Sequence, residues 1–146
     1  VSRFLTLTPG ERLVVLAAAA GLAAAPILLR SAGLTWVMRH LTRRPCTRGT
    51  PPTMEQLSSR RIVGLVERTA AALPWTITCL HRSLIAAWLV RRAGRPCKLV
   101  LGVAASAGDF AAHAWVALAD EPLGEPMTLP YTPICEWAIA FPTRSL

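Results

Sequence analysis

The strongest pattern in the chain is an apolar run, LVVLAAAAGLAAAPILL at residues 13–29, entered through Thr8-Pro9-Gly10-Glu11. Threonine three places before glutamate is capping-box spacing, and proline suits the first helical position. A helix is therefore predicted from Pro9 to about Arg30. LTWVMRHL at 34–41 reads as a second, shorter helical stretch. The segment TRRPCTRGTPPT, 42–53, concentrates proline and glycine and reads as a linker. Residues 1–45 thus form an N-terminal helical region and 54–146 the main core, in a chain short enough for one compact unit.

Beyond the linker, Thr53 and Gln56 repeat the capping-box spacing. Ile62, Leu65, Val66, Thr69 and Leu73 then recur at helical intervals up to Pro74, a stripe that reads as core. Thr78 is placed to cap a helix from about Cys79 to Ala93, which Gly94 closes with Pro96 beyond it. After that the period changes. CKLVLGVA at 97–104 and FAAHAWVAL at 110–118 are strand-like runs joined by a turn at Ser106 to Asp109, most simply an antiparallel pair. Helices first and strands second is an α+β order.

Charge narrows the partners. Lys plus Arg number 16 against 8 Asp plus Glu, a net charge of +8, but aromatic residues do not interleave with the basic ones as in a nucleic-acid groove. An acidic peptide or an anionic lipid surface fits better than nucleic acid. The apolar run, at 17 residues, only reaches the lower limit for a bilayer span, and Glu11, Arg12 and Arg30 flank it. Its alanine-rich composition favours a packed or partner-facing helix, with peripheral membrane contact as the rival; it does not read as a signal peptide. The four cysteines, Cys46, Cys79, Cys97 and Cys135, form no CxxC pair, so neither a metal site nor a cofactor is expected. Reduced thiols in a cytoplasmic protein follow.

One cysteine stands where chemistry is favoured. If Thr78 caps, Cys79 is the first helical residue, where unpaired N–H groups and the helix dipole favour a thiolate and the oxyanion of a tetrahedral intermediate. The alternative is a small buried core residue. His113 interrupts an apolar strand, between Ala111 and Trp115 on one face, and is either a general base or a histidine satisfied by a backbone carbonyl. Trp75, just before the helix, and Trp115 read as substrate walls or as core.

CLHRSL, WLVRRAGRP, LVLGV, AHAWV and the acidic Pro-Leu-Gly-Glu at 122–125 together resemble the transglutaminase-like leader peptidases of lasso-peptide biosynthesis. The resemblance covers nearly the whole chain and is most specific from Leu73 to Pro126. It implies a papain-related α+β fold in which a catalytic helix packs on a small antiparallel sheet behind N-terminal helices, and a Cys, His and acid triad that cuts the leader from a ribosomally made precursor. Cys79 and His113 match the nucleophile and base. The third position departs from the pattern: Gly-Asp is usual in the family, and here Gly124 is followed by Glu125. A chain return centred on Ala119 and Asp120 brings Glu125 close to opposite His113, which favours Glu125 over Asp120, Glu121 or Glu136. The resemblance also implies three partners: the precursor peptide, a separate winged-helix leader-recognition protein and an ATP-dependent lasso cyclase. A transglutaminase-like transamidase and a noncatalytic membrane-associated binding protein are the alternatives.

Overall fold

A computed structural model describes residues 2–43, 52–124, 127 and 129–139. Helices come first: α1 (Ser2–Leu5), α2 (Pro9–Ala32), α3 (Leu34–Arg43), α4 (Pro52–Glu55), α5 (Ser59–Ala72) and α6 (Cys79–Arg92). Strands β1 (Cys97–Ser106), β2 (Asp109–Leu118), β3 (Glu121–Leu123) and β4 (Thr132–Ile139) follow and form one antiparallel sheet in the order β3-β2-β1-β4. The architecture is α+β, as the order of patterns predicts.

The capping box at the start of α2 is complete. Glu11 N–H donates to Thr8 Oγ1 and Thr8 N–H donates back to Glu11 Oε2. Glu11 also pairs with Arg61 at 2.6 Å, which ties α2 to α5. The Thr8 backbone first, and Arg61 second, hold the Glu11 carboxyl below its ordinary value. The helix runs on through Pro26 to Ala32, slightly beyond the expected end.

The helix after the linker differs from expectation. Instead of one helix from the Thr53 capping spacing, the chain makes the single turn α4, folds back through Leu57 N–H to Met54 O, and starts α5 at a new cap. Ser58 is that cap, its hydroxyl accepting from Arg61 N–H. The core stripe is as read, since Ile62, Leu65, Val66 and Thr69 are all buried. Most of the expected linker, 44–51, lies outside the described residues, as does Cys46.

The N-terminal helices are not a separate layer of their own core. Val14 and Ala18 of α2 and Met38 of α3 share one apolar cluster with Ile62 and Val66 of α5, Leu89 and Val90 of α6, and Leu99, Val116 and Ile139 of the sheet. Helix α2 packs on α5 and α6, and α6 packs on β1 and β2, so α5 and α6 form a middle layer.

Strands β1 and β2 pair from Lys98 with Ala117 to Ser106 with Asp109, closing through Ala107 and Gly108, both at positive φ. Such a turn matches the right-handed twist of a hairpin. β4 was not anticipated. It is an edge strand, the usual place for a strand proline such as Pro133, and the register shifts at Leu101 and Gly102 where it joins β1.

Candidate active site

Cys79 is the first residue of α6, and the expected cap is present: Thr78 is extended and its hydroxyl accepts from His81 N–H at 3.3 Å. The cap engages the third amide of the helix, so the Cys79 and Leu80 N–H groups have no partner within the helix. They are the natural donors to an oxyanion formed at the thiol. Gly94 at positive φ donates to Arg91 O and ends the helix as the sequence predicts.

His113 stands on β2 opposite Gly102 of β1. Its ring stacks 5.0 Å from Tyr131 and 6.0 Å from Trp115. Trp115 itself belongs to a second small apolar cluster with Val100 and Ala117, against which Met127 and Tyr131 pack. The imidazole is thus oriented by aromatic faces.

One bond relates the two elements. Ser83, one turn along α6 from Cys79, donates its buried hydroxyl to Ala114 O at 2.9 Å, at the residue directly after His113. It fixes the helix that carries the thiol against the strand that carries the imidazole. Cys79 and His113 accordingly line one cavity of about 240 Å³, together with Arg82, Ser83, Trp115 and Tyr131. No hydrogen bond joins the two side chains directly; such contacts commonly tighten when substrate arrives.

Burial, and secondarily the Arg82 guanidinium, lower the His113 pKa below its ordinary value. A neutral imidazole can accept a thiol proton. The contrast with Cys97 is instructive: that thiol is buried, contacts Ala87 O, and is pushed up to about 12 chiefly by burial, so it is inert. Cys79 is half-buried and reaches the cavity.

The dependence on Arg82 has a measurable sign. In Arg82→Met the nearby positive charge is gone, the imidazolium is penalised less, and the His113 pKa should rise toward the ordinary histidine value. A histidine NMR titration checks this, and an unchanged or lower value would show that Arg82 does not act on the ring.

A family model for the transglutaminase-like superfamily matches residues 21–136. The chain belongs to that superfamily. Its members are in general cysteine-based catalysts with a peptidase or transamidase fold. No curated protein and no solved structure matches the chain.

Within this transglutaminase-like domain the other residues singled out from sequence fall as follows. Trp115 lines the cavity, whereas Trp75 is exposed and is not among its lining residues. Glu125 lies outside the described residues. Its rivals make their contacts elsewhere: Asp120 pairs with Lys98 at 2.7 Å, Glu121 with Arg60 at 3.1 Å, and Glu136 lies 3.8 Å from Lys98. The chain does return at Ala119 and Asp120, both at positive φ, and pairs Val116 with Leu123.

The superfamily cavity also holds two charged residues that sequence reading passed over, Glu67 and Arg82. Arg82 is three residues after Cys79 and so shares its helix face, a spacing visible in the sequence. Glu67 follows Val66 in the core stripe, and no sequence signal separates it from a solvated position. A side chain at Gly124, which has φ of 103°, would collide with the Glu67 carboxylate, so glycine serves there both as a turn residue and as clearance.

Proposed function

We propose that the protein is a cysteine peptidase that removes the leader from a lasso-peptide precursor. The observation that carries the reading is the meeting of a half-buried thiol at a capped helix start with an imidazole kept neutral chiefly by burial, in one cavity. The resemblance of CLHRSL and AHAWV to the leader peptidases supplies the substrate.

In this mechanism His113 takes the thiol proton as Cys79 Sγ bonds to the carbonyl carbon at the leader–core junction. The oxyanion receives the amide hydrogens at the start of α6. The C–N bond breaks as His113 returns the proton to the leaving amine of the core. Water, deprotonated by His113, then opens the thioester and frees the leader as a carboxylic acid. Glu125 holds the imidazole in the required tautomer, a role supported by its place after Gly124 and by the chain return at Ala119 and Asp120. The winged-helix recognition protein delivers the leader by raising its effective concentration, and the ATP-dependent cyclase consumes the freed core.

Incubating the protein with precursor and recognition protein, then weighing the products, tests the reading. The expected masses are intact leader acid and free core, and omitting the recognition protein at low substrate should slow their release. An added primary amine should not be incorporated. A dominant leader–amine adduct would establish a transamidase instead, and unchanged precursor a noncatalytic role.

A further inference from the structure

Helix α2 buries only one side. Val14, Ala18, Leu22 and Ala25 pack inward, while Leu13, Leu16, Ala20, Ala23, Ala24 and Ile27 are exposed. At about 100° per residue these six fall within an arc of roughly 100° on the side opposite the buried stripe. Leu16 is 60% exposed and Ile27 71%. Arg12 reaches from the start of this face to bond Leu5 O, which brings a further exposed leucine to its edge.

The exposed charges along α1, α2 and α3 are of one sign. Through residue 54 the sequence contains a single acidic residue, Glu11, and that carboxylate is buried against Arg61. Arg3, Arg30 and Arg39 are exposed. The face is one convex helix rather than a groove, so it offers a bound peptide no walls, whereas a fluid surface needs none. Apolar side chains on a convex helix, with exposed cations on α1, α2 and α3, suit the boundary between headgroups and acyl chains of an anionic bilayer.

We infer that α2 is a peripheral docking surface for an anionic lipid bilayer, with Leu16 and Ile27 entering the interface and Arg30 and Arg39 meeting headgroups. The helix lies on the surface rather than crossing it, because the Glu11–Arg61 pair and the inward stripe hold it to α5 and α6. The sheet lies on the far side of α5 and α6 from α2, so docking leaves the strand that bears His113 directed away from the lipid. The inference is independent of the peptidase reading.

Sedimentation of the full chain with vesicles is the test, comparing phosphatidylcholine alone with phosphatidylcholine containing phosphatidylglycerol. The protein should pellet with the anionic vesicles and much less with the neutral ones. Leu16→Glu/Ile27→Glu should weaken that binding by on the order of tenfold or more, with unchanged circular dichroism. Arg30→Gln/Arg39→Gln, which leaves the apolar face intact, should weaken binding to anionic vesicles and decrease its sensitivity to salt. Wild-type protein that stays in the supernatant overturns the inference, as does equal pelleting of the folded Leu16→Glu/Ile27→Glu variant. So does a wild type that ignores vesicles yet binds the recognition protein through these same two side chains.

Discussion

Cys79→Ala should abolish leader cleavage, by on the order of 10⁴-fold or more, and His113→Ala should do the same. The losses should not add. When two groups act in one step, removing either already disables it, so the double variant should be no slower than the worse single one. Neither change should unfold the protein. Cys79 is only half-buried and alanine is a good helix former at that position, while His113 contributes ring stacking worth about 0.5–1.5 kcal/mol per aromatic pair. Single-turnover cleavage with the recognition protein present, beside a thermal melt, reads both quantities. Near-normal turnover by either variant would remove the pair from the chemistry, whereas a roughly additive double loss would mean that they serve different steps.

The second large effect concerns a residue with no side chain. Gly102 faces His113 across the β1–β2 ladder, and a Cβ there would come within 2.7 Å of the Trp115 ring and 3.0 Å of Thr132 O. Gly102→Ala therefore forces the indole to move, at the roughly 1–3 kcal/mol typical of an overpacked core. Because Trp115 borders the imidazole, cleavage should fall by on the order of 100-fold, the penalty of shifting a catalytic group by about 1 Å. Trimming the ring tests the cause. In Gly102→Ala/Trp115→Leu the loss of stability should be smaller than the sum of the two single losses, and an additive or larger loss would show that the ring is not what the new methyl meets.

The elements legible in the sequence were those whose signals are local. A capping box, a threonine before the helix that bears Cys79 and a glycine after it locate α2 and α6 because caps are satisfied within one turn of chain. The hairpin of β1 and β2 was readable for the same reason, since its strands are adjacent and joined by a tight turn. The start of α5 was missed because Thr53 and Ser58 both offer cap chemistry, and the choice between them depends on Met54 reaching the shared core. β4 was missed because its partner strand lies far back in the chain and Pro133 masks its alternation. At the cavity, position and resemblance single out Cys79 and His113, and both line it. Arg82 and Glu67 were not, since only the packing of α5, α6 and β2 around one cavity gives their charges a common neighbour.

β2 is closed at both ends by abrupt reversals, Ala107 with Gly108 before it and Ala119 with Asp120 after it. A strand held this way behaves as a ruler with both ends clamped. Successive side chains alternate sides, so the side on which the imidazole stands is decided by parity, and one residue more or less between the two reversals would send it to the opposite side. Substitutions in DFAAHAWVAL away from His113 and Trp115 should therefore disturb the site less than a change in its length.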